Sequence, residues 1–298
     1  MEIFEGKVAT NGIELYCKYH SQGEKTPVVL IMGLSFQMTY WPESLIQLFQ
    51  DNGYPVLIFD NRDIGLSSQI PQKANNNLLW DFLLYKLGLQ VSAPYSLFDM
   101  AKDVIGILPH FKISQAHFVG MSMGGMISQI LAAKNPDIVK TLTLLATSDN
   151  YSGAQPPQLE MIWRLLGSGI QGNDIESAKK RRLLLYKTIK SKNYATMSDV
   201  EVLERFVESY QRNYSPAGIL RQIYAILSSP NLQKLHSNIT CPTTIIHGDI
   251  DPLIHKSSAY RMHKNIPHSK LHIVHDYAHD LPRGLMPIVF NYFSQQGD

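Results

Sequence analysis

The chain contains 298 residues, of which 27 are Lys or Arg and 25 are Asp or Glu, so its formal net charge is +2. Hydrophobic residues make up 44% of the chain and charged residues 17%, a balance typical of a soluble globular protein. Proteins that bind nucleic acid usually carry a larger excess of basic residues. The composition therefore predicts a folded protein without a nucleic-acid partner.

The sequence has the features of a protein that stays inside the cell and outside the membrane. Its longest apolar run, residues 28–32, is far shorter than the ~20 residues that a transmembrane helix needs. The N-terminus is acidic and lacks the basic region and apolar run of a signal peptide. Cys17 and Cys241 are too few for a disulfide scaffold. We therefore expect a cytoplasmic protein that is not stably inserted in a membrane.

The N-terminal part of the chain predicts a β-hairpin followed by a strand–helix–strand unit. Residues 4–9 and 13–19 flank Asn11-Gly12, a dipeptide that favours tight hairpin turns. Residues 27–32 and 56–59 are continuous apolar runs, as expected of strands that are buried on both faces. The segment between these two strands has the spacing of apolar residues that is typical of a helix.

Residues 96–146 continue this alternation of strands and helices. Ser96 and Asp99 have the spacing of a capping box, and an amphipathic helical pattern follows them. Residues 116–119 predict a short strand, and residues 139–146 predict another after an intervening helix. Strands that alternate with helices form a parallel sheet with helices on both faces. The sequence therefore predicts an α/β fold.

Two segments lack this alternation. Residues 69–94 contain a run of three asparagines and predict an exposed loop before an apolar patch. Residues 150–235 contain amphipathic helical patterns and no convincing strand, whereas the α/β pattern resumes with strands over 243–247 and 270–274. The predicted domains are an α/β core formed by 1–149 and 236–298 and a helical cap insertion over 150–235.

The segment Gly120-Met121-Ser122-Met123-Gly124 has the G-x-S-x-G pattern of a nucleophile elbow. It directly follows the predicted strand 116–119 and opens the next predicted helix. A sharp strand-to-helix turn holds a serine hydroxyl out above the sheet, and glycines beside it avoid steric clashes. We therefore predict that Ser122 is a catalytic nucleophile.

A serine nucleophile needs a base, and the base needs an acid that orients it. Asp249 and Asp251 follow the predicted strand 243–247, and His275 and His279 follow the strand 270–274. The carboxyl ends of parallel strands meet at one edge of a sheet, which places these side chains near the predicted nucleophile. The first segment therefore offers two candidates for the acid, and the second segment offers two candidates for the base.

We prefer Asp251 and His279 within these pairs. Asp251 lies farther out in its loop than Asp249, and Pro252 fixes the chain after it. His279 lies well beyond its strand, whereas His275 stands at the strand end, where we expect it to cap or pack. The predicted acid is therefore Asp251 and the predicted base is His279.

Acyl transfer also requires hydrogen-bond donors for the developing oxyanion. The amide N–H of Met123, at the start of a predicted helix, is one candidate. The amide N–H of Leu34 is the other, because Met32-Gly33-Leu34-Ser35 follows an early strand. The turn over 60–67 is rich in Asp and Arg, and we expect it to brace loops near this edge through charge-assisted hydrogen bonds.

Together these motifs resemble the α/β-hydrolase superfamily over nearly the whole chain. Four of them look like those of bacterial esterase-type members related to aclacinomycin methylesterase: the turn over 60–67, Ala93-Pro94-Tyr95, the G-x-S-x-G segment and Ala278-His279-Asp280-Leu281-Pro282. The resemblance implies a mostly parallel eight-stranded sheet under a helical cap, and no cofactor. It matches Ser122 to the nucleophile, Asp251 to the acid and His279 to the base. Many relatives have His-Gly where this chain has Met32-Gly33, a change that bears on substrate shape.

The leading hypothesis is a serine hydrolase that cleaves a carboxylic ester. Thioester hydrolysis, carbon–carbon bond hydrolysis and perhydrolysis use the same residues, and a non-catalytic binding module shares the fold. Metal-dependent hydrolysis is a third class, because His268, His272, His275 and His279 form a His-rich stretch. The chain lacks an H-E-x-x-H motif, and two of these histidines on one strand would point to opposite faces. We therefore predict no metal site.

The expected partner is a small-molecule ester with an apolar group. Phe36, Met121 and Trp163 are the predicted substrate contacts, and Tyr186 is a further candidate from the cap. A basic cluster over 179–182 is interpreted as a solvated helix face, with a weak membrane-surface contact as the alternative. The sequence favours no particular oligomeric state.

Overall fold

A computed structural model describes residues 3–74, 77–155 and 174–297. The strands are β1 (Ile3–Thr10), β2 (Ile13–His20), β3 (Val28–Ile31), β4 (Val56–Phe59), β5 (Ala116–Met121), β6 (Val139–Leu145), β7 (Thr243–Gly248) and β8 (Lys270–Val274). They form one eight-stranded sheet in the order β1-β2-β4-β3-β5-β6-β7-β8. The pairs β1–β2 and β2–β4 are antiparallel and all others are parallel. The predicted mostly parallel eight-stranded sheet is confirmed.

Helices cover both faces of this sheet. Within the described ranges the α-helices are α1 (Glu43–Asp51), α2 (Leu78–Lys86), α3 (Leu97–Ile107), α4 (Met123–Lys134), α5 (Ile175–Ile189), α6 (Asp199–Arg212), α7 (Pro216–Ser228), α8 (Ser257–Asn265) and α9 (Met286–Ser294). Alternate residues of a strand face opposite sides, so Val29 and Ile31 pack with α3, α4 and α8, and Val28 and Leu30 pack with α1 and α9. In this described part of the chain, no helix is both long enough and apolar enough to cross a bilayer.

The apolar patch that follows the asparagine run in 69–94 forms α2, a helix that was not predicted. The side chain of Asn77 caps this helix by accepting a hydrogen bond from the Trp80 amide. Leu79 and Trp80 are exposed, whereas Asp81 is buried and accepts a hydrogen bond from the Tyr224 hydroxyl at 2.8 Å. Because apolar residues occupy the exposed side and a carboxylate the buried side, the segment lacks the periodicity that identifies a helix.

Helices α5, α6 and α7 lie between β6 and β7 in the chain, in the segment for which helical patterns are predicted. A further helical pattern, over 161–166, and the candidate residue Trp163 lie outside the described residues. The division into a core and a cap over 150–235 stays a prediction.

The turn over 60–67 joins α3, α6 and α7 to the sheet. Its charged side chains form three ion pairs with helices: Asp60 with Arg212 of α6, Arg62 with Asp103 of α3, and Asp63 with Arg221 of α7. The predicted charge-assisted hydrogen bonds are present. The ion-pair partners are helices, and Asp60 Oδ1 also accepts a hydrogen bond at 2.8 Å from the Met38 amide, in the segment between β3 and α1. Asp60 and Asp63 are fully buried. The contact between the turn and the helices is therefore stable only because arginines neutralise these two carboxylates.

His236 makes the stability of the fold depend on pH. It is fully buried, and its Nε2 lies 2.9 Å from Oε1 of Gln129. Burial lowers the pKa of His236 to about 4. In the unfolded chain a histidine takes up a proton below about pH 6.5, whereas His236 in the folded protein does so only near pH 4.

We therefore expect His236 to destabilise the protein by about 3 kcal/mol as the pH falls from 7 to 4. Urea unfolding measured across this range checks the expectation. The slope of the unfolding free energy against pH reports how many protons the chain takes up on unfolding. In His236→Gln this number should be smaller by about one. An identical pH dependence in both proteins would contradict it.

Candidate active site

Ser122 lies in the turn between β5 and α4, at the carboxyl edge of the sheet. Its φ of 54° and ψ of −120° fall in a region that residues with a side chain rarely adopt. The turn brings the start of α4 against β3, and a Cβ at Gly124 would lie 2.0 Å from the Ile31 carbonyl oxygen. Glycine is therefore required at position 124, and the tight turn presents Ser122 to a cavity.

His279 lies between Ser122 and Asp251. Its Nε2 is 3.1 Å from Ser122 Oγ, and its Nδ1 is 2.7 Å from Asp251 Oδ2. Because a carboxylate only accepts hydrogen bonds, Nδ1 carries the proton and Nε2 is free to accept the Ser122 hydroxyl. Both His279 and Asp251 are buried. The structure thus brings the three side chains selected from the sequence into one hydrogen-bonded chain.

The turn after Asp251 fixes the orientation of its carboxylate. Oδ1 accepts hydrogen bonds from the amides of Leu253 and Ile254, each at 2.8 Å, which leaves Oδ2 to face the imidazole. His247 on β7 donates from Nε2 to the Ile254 carbonyl oxygen at 2.8 Å. Burial lowers the pKa of His247. A neutral His247, which the sequence analysis did not assign, therefore ties the turn to the sheet.

The alternative candidates Asp249 and His275 pair with each other instead. His275 Nδ1 lies 2.7 Å from Asp249 Oδ2, and this hydrogen bond raises the pKa of His275. The side chain of His275 is 85% exposed, so the expectation that it caps or packs is wrong. The chain turns at Asp276, whose φ is 58°, and buries Tyr277 rather than His275.

The two amides predicted to hold an oxyanion lie beside Ser122. Met123 is the first residue of α4, so its N–H has no carbonyl partner within the helix. The backbone before Leu34 approaches Ser122 so closely that a Cβ on Gly33 would be 3.1 Å from Ser122 Cβ. Leu34 and Met123 both line the cavity that Ser122 faces. Their role as oxyanion donors stays a prediction.

Gln222 of α7 holds the loop that contains Leu34. Its Oε1 accepts a hydrogen bond from the Ser35 amide at 3.1 Å, and its Nε2 donates to the Arg62 carbonyl oxygen at 2.9 Å. The Gln222 side chain is fully buried. It therefore links this loop to the ion-paired turn over 60–67. This contact was not predictable from the sequence, because a glutamine in a helical pattern carries no signal for a partner so distant in the chain.

A cavity of about 600 Å³ lies over Ser122 and His279. This volume is in the range of pockets that bind small molecules. Phe36, Met121 and Tyr186 line it, and their contact with a substrate stays a prediction. Other apolar lining residues come from α2, α5, α7 and two loops: Leu78, Phe82, Leu185, Ile189, Ile223, Ile226, Leu227, Leu253 and Leu281. The wall of the cavity suits an apolar group, and the contribution of α2 was not predicted.

The basic cluster of α5 is only partly a solvated face. The guanidinium of Arg182 lies over the Phe36 ring, 4.1 Å from its centroid, and 4.7 Å from that of Tyr40. Lys179 pairs with Glu176 at 2.7 Å. The prediction of a solvated face is therefore wrong for Arg182, because its planar cation packs on an aromatic ring that lines the cavity. Contact of this cluster with a membrane surface stays an alternative.

The His-rich stretch does not assemble into a metal-ligand cluster. His272 stacks on Tyr292 with ring centroids 3.6 Å apart, and burial lowers the pKa of His272. Across residues 3–74, 77–155 and 174–297, no three His, Cys, Asp or Glu side chains are grouped so that they could hold a metal ion.

The sheet order, the strained serine and its hydrogen-bonded histidine define a class of protein. A family model described as the alpha/beta hydrolase fold matches residues 26–282, so the chain belongs to the α/β-hydrolase family. This confirms the superfamily that the sequence motifs resemble.

Particular relatives include esterases and other serine hydrolases. Rhodomycin D methylesterase DauP from Streptomyces sp. (strain C5) is 31% identical over 119 residues, which is 40% of this chain and 34% of that protein. The chain thus spans about a third of the length of the first curated relatives it matches. The serine hydrolase BPHL from Homo sapiens is 22% identical over 282 residues, 94% of this chain and 81% of that protein. A thermophilic esterase from Thermogutta terrifontis superposes with a TM-score of 0.71 at 20% identity, covering 100% of both chains, and shares the fold.

Proposed function

We propose that the protein is a serine hydrolase that cleaves carboxylic esters through Ser122, His279 and Asp251. The observation that carries this proposal is the pair of hydrogen bonds on either side of the His279 imidazole, 3.1 Å to Ser122 Oγ and 2.7 Å to Asp251 Oδ2. A histidine in this setting can act as base toward the serine while the carboxylate fixes its tautomer.

Acylation begins when Ser122 Oγ attacks the carbonyl carbon of the ester and His279 Nε2 takes the hydroxyl proton. The negative charge that develops on the carbonyl oxygen is stabilised by the amide N–H groups of Leu34 and Met123. Asp251 accepts the Nδ1–H bond and stabilises the imidazolium. His279 then gives its proton to the leaving alcohol, and an acyl group remains on Ser122.

Deacylation repeats these steps with water as the nucleophile. His279 Nε2 removes a proton from water as the water oxygen attacks the acyl carbon, and Ser122 leaves with that proton while the carboxylic acid departs. Both half-reactions need His279 in its neutral form. An imidazolium cannot accept a proton, so a protonated His279 would be inactive in both steps.

The cavity supports a substrate with an apolar acyl or alcohol group. Phe36 and Met121 line the cavity beside Ser122, and most of the remaining wall is aliphatic or aromatic. A methylesterase is among the relatives of the chain, which supports an ester as the scissile group. We propose Phe36 and Met121 as substrate contacts, and a small-molecule ester as the ligand.

A series of p-nitrophenyl esters of increasing acyl length, with methyl esters and thioesters beside it, tests this function. Burial of each added methylene contributes ~0.8 kcal/mol, so kcat/KM should rise about fourfold per methylene until the cavity is filled. Turnover of thioesters alone would replace the esterase proposal with a thioesterase. The absence of turnover for every compound, in folded protein, would favour a binding module.

A further inference from the structure

The connector between α5 and α6, residues 190–198, lies against the loop that carries His279. The His279 amide donates to the Ile189 carbonyl oxygen at 2.9 Å, immediately before the connector. The Lys192 amide donates to the Asp276 carbonyl oxygen at 2.8 Å. The histidine loop is therefore held by a segment that lies far earlier in the chain, with Ser191 and Asp280 separated by 89 positions.

Ser191 is the centre of this contact. Its Oγ accepts a hydrogen bond from the Ala278 amide at 2.9 Å and donates to Asp280 Oδ1 at 2.5 Å. Its own amide donates to the same carboxyl oxygen at 3.1 Å. Ser191 is 4% exposed and Asp280 7% exposed. One serine thus binds the residues on both sides of His279.

These hydrogen bonds also compensate the burial of Asp280. Burial raises the pKa of Asp280, and the bonds from Ser191 oppose this rise. The second carboxyl oxygen, Oδ2, is buried and accepts no hydrogen bond from the part of the chain that the structure describes. Loss of the Ser191 hydroxyl would therefore remove one of the few hydrogen bonds to this buried carboxyl group. The carboxyl group and the backbone next to it would then be free to move.

We propose that Ser191 and Asp280 are positioning residues that fix the His279 imidazole for proton transfer. The imidazole must meet Ser122 and Asp251 at the same time, so a small shift of its backbone breaks one of the two contacts. Ser191 takes no part in the proposed chemical steps, and it is not one of the residues that line the described cavity. The inference rests on the proposed function, because it requires His279 to be the base.

The variant Ser191→Ala tests this inference in the full-length protein. We expect kcat, and the rate at which a fluorophosphonate labels Ser122, to fall by up to about 100-fold, with KM little changed. The matched control is Tyr194→Phe, which removes a hydrogen bond to the His275 carbonyl oxygen in the same contact without touching residues 278–280. The control should keep the wild-type kcat. All rates are measured at a temperature at which circular dichroism shows each variant to be folded.

Two changes at Asp280 separate positioning from a merely structural role. Asp280→Asn keeps an oxygen that can accept both hydrogen bonds from Ser191, and it should retain most of the kcat that Asp280→Ala loses. The inference is overturned if Ser191→Ala keeps the kcat and labelling rate of the control, or if its KM rises as much as its kcat falls. It is also overturned if the two Asp280 variants lose kcat equally. A wild-type protein that neither hydrolyses esters nor reacts with the probe would instead refute the proposed function.

Discussion

Replacement of Ser122 by alanine is expected to lower kcat for ester hydrolysis by about 10⁴- to 10⁶-fold. The change removes the proposed nucleophile and leaves His279, Asp251 and the cavity in place. Alanine meets the same backbone strain as serine at this φ of 54°, so the fold should be retained. The measurement is kcat from initial rates with the best p-nitrophenyl ester, together with an unfolding curve for each protein.

Ser294→Ala provides the control for this substitution. Ser294 ends α9 and its hydroxyl donates to the Asn291 carbonyl oxygen, away from the cavity. The same chemical change there should leave kcat at its wild-type value. Turnover by Ser122→Ala within tenfold of the wild-type rate would mean that another group is the nucleophile.

Replacement of Asp103 by alanine is expected to lower the free energy of unfolding by about 3–5 kcal/mol. Arg62 donates to both oxygens of this carboxylate, from Nε to Oδ2 and from Nη2 to Oδ1, each at 2.5 Å. The Arg62 side chain is 6% exposed and that of Asp103 is 2% exposed. Without Asp103 the buried guanidinium loses the carboxylate to which it is hydrogen-bonded, which is far more costly than the loss of an exposed pair. The midpoint of urea unfolding measures this effect.

A neighbouring pair on the same helix supplies the comparison. Lys102 of α3 pairs with Asp99 at 3.2 Å, but its side chain is 63% exposed. Lys102→Ala should therefore cost at most about 1 kcal/mol. Changing Arg62 to methionine and Asp103 to leucine together should recover most of the loss, since both charges of this buried pair are then removed. A cost for Asp103→Ala as small as that for Lys102→Ala would show that the buried pair does not stabilise the fold.

The sheet was predictable because its central strands are buried on both faces. Residues 28–31 and 56–59 are apolar without interruption, over a length that is typical of buried parallel strands. Helix α2 was not predictable in the same way. Its buried side includes Asp81, paired with Tyr224 far along the chain, and its exposed side includes Leu79 and Trp80. Periodicity identifies a helix only when the apolar face is also the buried face.

Some features of the site follow from residues close together in the sequence, and these were predictable. Others depend on contacts between distant parts of the chain, and these were not. The turn at Ser122 was predictable because its backbone requires small neighbours such as Gly124. The contacts of Ser191 and Gln222 were not, because they join residues 89 and 187 positions apart, and polar residues in helical or loop patterns do not reveal such partners. The exposure of His275 depends on the turn at Asp276, which strand patterns do not specify.

Covalent labelling with a fluorophosphonate tests most directly whether His279 activates Ser122. The wild-type protein is treated with the probe and digested, and the modified peptide is identified by mass spectrometry. We predict a single adduct on Ser122, no adduct in Ser122→Ala, and much slower labelling in His279→Ala. An adduct on another serine, or labelling that does not slow when His279 is removed, would contradict the assignment of this serine and histidine as nucleophile and base.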